Sequence, residues 1–226
     1  MNRIAVLQPS YLPWLGFFEQ MMSVDTFVFY DDVQYTKNDW RNRNRIKTKD
    51  GFLWLTIPVK GSTSLQIREV RIDNNQNWQE KHQKTLVQLY SKAPYFEEVL
   101  VLFEPLWNKK YEFLLDAVVD SITIITEYLN IETKIIFSSE IKVSGNKNEK
   151  LINICKTLGA SEYYSGLAAQ NYLDNELFNR NGINIAFQHY QHPLYPQMHG
   201  NFVSHLSIID LLFNCGKKSR QMIKDY

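Results

Sequence analysis

Apolar and polar positions along the chain fall into short runs of two periods, and most elements follow from which period holds. Ile4-Ala5-Val6-Leu7 is a continuous apolar run of strand length that ends at Gln8-Pro9-Ser10. Pro9 and Pro13 keep the next segment extended or turned. Trp14 to Met22 then reads as a helix with Phe17, Phe18 and Met21 inward. Thr26 to Tyr30 is a second strand, and it stops abruptly at Asp31-Asp32. A basic loop follows, closed by the turn signal Lys49-Asp50-Gly51. Phe52 to Val59 alternates Leu53, Leu55 and Ile57 as a third strand. Lys60-Gly61-Ser62-Thr63-Ser64 is a small-residue loop, Ile67 to Ile72 a short strand, and Asp73-Asn74-Asn75 a turn that offers a helix cap. Trp78 to Tyr90 reads as a helix, as does Phe113 to Leu129, with Leu114, Val118, Ile122 and Ile125 on one face.

The second half alternates between the two periods. Lys134 to Phe137 is a strand, Asn148 to Leu158 a helix stopped by Gly159, and Glu162 to Gly166 a strand. Tyr172 to Phe178 is helical, Ile183 to Phe187 is the last strand, and a Pro/His/aromatic loop runs from Gln188 to Phe202. A final helix covers Ser204 to Phe213 and ends at Gly216. This alternation predicts an α/β fold: a mostly parallel, doubly wound, Rossmann-like sheet with helices on both faces. Residues 1–226 are expected to form a single α/β domain with a helical insertion at about 77–130. Ligands of such sheets bind beyond the carboxyl ends of the strands.

Composition narrows the picture. With 226 residues and 44% hydrophobic content the chain can bury a substantial core. A formal net charge of +1 argues against a bulk electrostatic partner, and no DNA is expected. Two cysteines, Cys155 and Cys215, are too few for a disulfide framework or a zinc cage. The chain opens on a strand without a signal peptide, and no apolar run approaches the roughly 18 residues of a membrane span. The expectation is a cytoplasmic protein with no membrane span.

Against that neutral background the positive density of Phe27–Lys49 is local, and it points to an anionic ligand. Lys37, Arg41, Arg43 and Arg45 are candidates to clamp a phosphate or diphosphate, since the guanidinium fork bonds phosphate oxygens in pairs. If Arg41-Asn42-Arg43-Asn44-Arg45 is extended, its arginines share one face, and Asn42 and Asn44 read a sugar or base from the other. The bland alternative is a solvated basic loop. Asp31 and Asp32 could bind a metal, orient a sugar hydroxyl or act as a base; equally, they could cap a turn and pair with an arginine. Gln8 and Pro9 occupy the first ligand-contact position of a nucleotide-binding fold, although neither G-x-G-x-x-G nor a Walker A motif is present. His189, His192, His199 and His205 fall within 17 residues but match no closed zinc spacing, and no metal is assigned. His189 is taken as the acid/base candidate among them. Ser165-Gly166 could present a hydroxyl or an N–H, without the G-x-S-x-G elbow of a nucleophile. Lys60, Tyr195 and Gln197 complete the candidate binding residues, and Asp210 is a carboxylate on an otherwise apolar helix.

Gln8-Pro9, Pro13-x-x-Gly16, Tyr30-Asp31-Asp32-Val33, Trp40-x-Asn42-Arg43-Asn44, Pro58-Val59, Ser165-Gly166, Tyr172-Leu173, Tyr195-Pro196-Gln197 and the closing Leu206–Asn214 together resemble the WbqC-like family, from residue 3 to about 216. The resemblance implies bacterial surface-polysaccharide (O-antigen) biosynthesis. It further implies an N-acyl or aminoacyl (for example glycyl) transferase acting on a nucleotide-linked amino sugar. A second resemblance, to the nucleotidyltransferase group that forms adenylates, is architectural: a strand, a Pro-containing turn and a helix. That group carries H-x-G-H where this chain has Pro13-Trp14-Leu15-Gly16-Phe17, which keeps the glycine and lacks the histidines.

On this reading the loop arginines hold the diphosphate, Trp14, Trp40 and tyrosines stack on base or sugar, and Asp31 or Asp32 accepts the amine proton. The acyl donor stays open among a carrier-protein thioester, coenzyme A, aminoacyl-tRNA and an ATP-derived adenylate. Partners implied are the nucleotide-linked amino sugar and an acyl carrier protein, and a homodimer is compatible. The alternatives are a non-catalytic scaffold for glycan-assembly enzymes and an ATP-dependent carboxylate-activating ligase.

Overall fold

A computed structural model describes residues 2–60 and 64–225. Gly61, Ser62 and Thr63 of the expected small-residue loop lie outside the described residues. In chain order the elements are β1 (Arg3–Leu7), α1 (Leu15–Met22), β2 (Thr26–Phe29), β3 (Arg43–Thr48), β4 (Gly51–Thr56), β5 (Val59–Lys60), β6 (Arg71–Ile72), α2 (Trp78–Tyr90), α3 (Phe96–Leu102), α4 (Glu104–Asn108), α5 (Leu114–Tyr128), β7 (Lys134–Phe137), α6 (Ser138–Ile141), α7 (Asn148–Thr157), β8 (Glu162–Gly166), α8 (Asn175–Arg180), β9 (Asn184–Gln188), α9 (Ile208–Cys215) and α10 (Ser219–Lys224).

Five strands form one parallel sheet in the order β7-β2-β1-β8-β9. Counting only these strands, the order is 3-2-1-4-5, that of a doubly wound Rossmann-like sheet. Period-two alternation in β1 sends Ile4 and Val6 into one apolar layer and Ala5 into the other. On the Ile4 side α7 and α8 supply Leu151, Ile152, Ile154, Cys155 and Phe178. On the Ala5 side Phe27 and Phe29 meet α1, α5 and α9. The predicted face of α5 is buried throughout, at Leu114, Val118, Ile122 and Ile125. Both faces of the sheet are therefore covered, and the apolar strand runs follow from that.

Four local expectations are corrected. The basic loop is a strand over Arg43–Thr48, which pairs antiparallel with β4 as a hairpin turning at Lys49-Asp50. Ile67–Ile72 is not one strand: Ile67–Glu69 makes a single 3-10 turn, fixed by a capping box between Gln66 and Glu69, and only Arg71–Ile72 is extended. The helix expected at Tyr172 begins at Asn175, because the Asp174 side chain caps the Leu177 N–H at 2.9 Å. The last long helix starts at Ile208 rather than Ser204, since His205 has φ +57°, outside helical space.

Candidate functional site

The strand order reverses between β1 and β8, and their ladder runs through Arg3↔Glu162 and Ile4↔Tyr163 before giving out toward the carboxyl ends. That is the switch point where ligands of open α/β sheets bind. A cavity of about 890 Å³ opens there. Its floor comes from the ends of β1 (Leu7, Gln8, Ser10) and β8 (Ser165, Gly166), with Gln188 from β9. One wall is the start of α1, with Trp14, Gly16, Phe17 and Gln20; the hairpin approach adds Trp40, Arg41, Asn44 and Arg45. Lys147 and Asn148, where α7 begins, and Tyr30, Tyr163 and Tyr172 form the far side, and His205 stands over Trp14 with ring centroids 5.6 Å apart.

The turn between β1 and α1 is held by two distant segments. Leu12 has φ +43°, a strained value for a branched side chain. Its carbonyl accepts from Asn44 Nδ2 at 2.8 Å and from Ser207 Oγ at 2.7 Å. The Ile208 N–H donates to the Pro13 carbonyl at 2.9 Å. Gly16 is required because the Trp14 indole lies across it: a Cβ there would meet ring carbons at 2.2 to 2.7 Å.

The electrostatics are one-sided. Among the described residues that line the cavity, Arg41, Arg45 and Lys147 carry charge and none is a carboxylate. Arg41 is 13% exposed; it donates to the Gln8 carbonyl at 3.1 Å and lies 3.9 Å from Asp39. Burial pulls its guanidinium below the usual value while Asp39 opposes the shift; arginine stays charged in either case. Its Nε is buried without an acceptor, an unmet donor in the wall of the cavity. The Tyr30 phenol is pushed up to about 12 by burial, with the Asp32 and Tyr172 charges adding to the rise.

Of the residues singled out from the sequence, the structure brings together Gln8, Trp14, Trp40, Arg41, Asn44, Ser165 and Gly166 at this cavity. Pro9 is buried in the adjoining turn. Asn42 faces the interior and donates to the Ile57 carbonyl at 2.8 Å, and Arg43 lies over Trp54 on the outer face of the hairpin. Lys37 is exposed, and Lys60 is paired with Asp73 at 3.7 Å. Tyr195 donates to Asp210 at 2.9 Å, and Gln197 clamps Val203 through both its amide atoms.

Asp31 and Asp32 lie outside the lining, at the junction of β2 and α6. Asp31 accepts from the Ser139 N–H at 3.0 Å and Ser139 Oγ at 2.6 Å, and its Oδ1 lies 3.0 Å from Ser138 Oγ. Asp32 pairs with Lys150 at 2.7 Å and accepts from Ser138 Oγ. Burial works to raise the Asp32 carboxyl, but Lys150 and Ser138 hold it below the usual carboxylate range. His189 is exposed and outside the lining, whereas His205 is at it.

The sequence reading missed Gln20, Lys147, Asn148, Tyr172 and Gln188 as lining residues. Gln188 ends a parallel strand and Lys147-Asn148 opens a helix, positions that would have flagged them.

Fold and cavity together define an α/β protein of Rossmann-like class with a positively lined cavity at its switch point. Residues 8–222 match the family model described as the WbqC-like protein family. A curated relative from Mycobacterium tuberculosis (strain ATCC 25618 / H37Rv), named Uncharacterized protein Rv1507c, is 37% identical over 228 residues, covering 99% of this chain and 98% of the relative. No solved structure matches the chain. The chain belongs to the WbqC-like protein family, and a role related to polysaccharide biosynthesis fits that membership.

Proposed function

We propose that the protein is an N-acyl or aminoacyl transferase acting on a nucleotide-linked amino sugar. The observation that carries this reading is the cavity at the β1/β8 switch point, charged only by Arg41, Arg45 and Lys147 among its described lining, with the Arg41 Nε buried and unmet. A diphosphate is the anion that such a set of donors complements. Tyrosine and tryptophan faces beside hydrogen-bonding side chains from Gln8, Gln188, Asn148 and Ser165 suit a sugar ring. The amine of that sugar forms a C–N bond to the carbonyl carbon of an activated acyl donor, and the bond from that carbon to the donor's leaving group breaks. The amine proton passes to His205, the imidazole of the lining, whose Nδ1 is 2.8 Å from Ser204 Oγ. Asp31 and Asp32 serve as positioning residues, fixing the β2–α6 junction and the Lys150 beside Tyr30.

Calorimetric titration with nucleotide-linked amino sugars tests the reading. Binding is expected, and Arg41→Lys should weaken it about tenfold by removing the planar fork. With an acyl donor present, His205→Gln should retain binding and lose turnover. Binding without turnover under every donor class would leave a binding protein and sink the transferase reading.

A further inference from the structure

The outer face of the β3–β4 hairpin carries aromatic rings that the core does not use. Trp40, Phe52 and Trp54 are 38, 45 and 36% exposed. Strand alternation turns Phe52 and Trp54 outward while Leu55 is buried on the other face. The rings adjoin: Trp40 and Trp54 centroids are 5.2 Å apart, and Phe52 and Trp54 6.2 Å. Two guanidiniums are layered among them, Arg43 4.3 Å from the Trp54 ring, and Arg45 4.8 Å from Phe52 and 5.3 Å from Trp40. The Nε of each arginine is buried without an acceptor. Trp40 and Arg45 belong to the cavity wall as well, so platform and cavity form one continuous surface.

We infer that this platform is a nucleobase-stacking subsite, which holds the base of a nucleotide whose phosphates occupy the cavity. The inference rests on the phosphate-binding reading of that cavity and adds to it where the base lies. Every base offers a π face, and aromatic rings interleaved with arginines are the chemistry that takes it beside a phosphate. Three rings make a base-sized surface, far short of the roughly 800 Å² per partner that a stable protein interface buries. The base has two sources, the nucleotide-linked sugar or the adenine of an ATP- or coenzyme-derived donor.

The test is calorimetric titration of the whole chain with UDP, ADP and inorganic pyrophosphate, for the native protein and for Trp54→Leu and Trp54→Phe. Trp54 lies outside the cavity lining but packs on Trp40 and Arg45 of its wall, so pyrophosphate affinity is the control that the phosphate site is intact in both variants. One nucleoside diphosphate should bind more tightly than pyrophosphate. Trp54→Leu should weaken that ligand roughly 5- to 100-fold and leave pyrophosphate unchanged, and Trp54→Phe should recover most of the loss. A preference for UDP assigns the subsite to the sugar nucleotide, and a preference for ADP to the donor. Nucleoside diphosphates that bind no better than pyrophosphate overturn the subsite and leave the phosphate reading standing. Equal weakening of all three ligands by Trp54→Leu also overturns it. Loss of a dimer in light scattering with unchanged nucleotide affinity would make the platform a contact between copies of the chain, again against the inference. If neither pyrophosphate nor either nucleotide binds the native protein, the phosphate reading falls with it.

Discussion

Gly16 shows how far one side chain's position depends on another residue having none. The Trp14 indole occupies the space where a Cβ of residue 16 would stand, and it stacks on His205 at an interplanar angle of 23°. Gly16→Ala therefore has to push the indole away rather than simply stiffen the helix. The expected result is a folded protein with altered tryptophan fluorescence and about tenfold weaker nucleotide-sugar binding, a loss of about 1.4 kcal/mol. Unchanged fluorescence and affinity would show that the indole is not held in this place. The neighbouring Asn44 makes a related point. It lines the cavity, yet its amide is committed to the Leu12 carbonyl, so it shapes the site by holding a strained turn.

Among the elements, α9 is distinctive because all eight of its residues are buried, Asp210 included. The Asp210 carboxylate accepts from the Tyr90 hydroxyl at 2.7 Å and the Tyr195 hydroxyl at 2.9 Å, and Tyr90 in turn accepts the Lys47 N–H at 2.9 Å. Burial raises the Asp210 carboxyl, while the two tyrosines and Gln197 work against the rise. Asp210→Ala removes the acceptor of two buried hydroxyls and should cost about 3 kcal/mol, read by urea denaturation. Asp210→Asn, which keeps one acceptor oxygen, should cost less. A loss below about 1 kcal/mol for the alanine variant would show that water replaces the carboxylate.

The same helix marks what the sequence could and could not reveal. Its apolar run was legible, as were the parallel strands and α2, because each obeys a local period. The start of α9 was not, since His205 takes a positive φ and the capping Ser207 is held by the Leu12 carbonyl far away in the chain. Helices α3 and α4 also escaped the reading: Phe96–Leu102 and Glu104–Asn108 are short, and packing rather than periodicity defines them. The basic segment was legible as a local concentration of positive charge. Its division into a cavity wall at Arg41 and an outer hairpin face at Arg43 and Arg45, with Arg45 reaching the cavity as well, needed the hairpin register to be known.

At the scale of the molecule, stability should depend on pH through His82. It is buried among Tyr11, Trp78 and Trp107. Its Nε2 faces the Thr56 carbonyl at 3.2 Å and must donate, so Nδ1 accepts from the Tyr11 hydroxyl at 3.0 Å. Burial lowers its pKa from 6.5 to about 4, against the bond to Thr56. The folded state thus binds this proton more weakly than the unfolded chain. The stabilisation from His82 is complete above the unfolded value of 6.5 and is lost as pH falls toward 4, a change of up to about 3 kcal/mol. Melting temperatures between pH 7 and pH 4 should fall accordingly. His82→Phe should flatten that slope, and a variant with the native slope would place the sensitivity in another group.

The clamp on Leu12 also fixes when the site can exist. Ser207 and Leu12 are separated by 195 positions, so the β1–α1 turn cannot be locked while the carboxyl-terminal part of the chain is still being synthesised. The β1–β2 pair can form through contacts closer in sequence, whereas this closure, like that of β1 on β8, spans most of the chain. Ligand-binding competence should then appear as a late kinetic phase in refolding, and a chain stopped before Ser207, which lacks the buried helix α9 as well as the clamp, should not form the pocket.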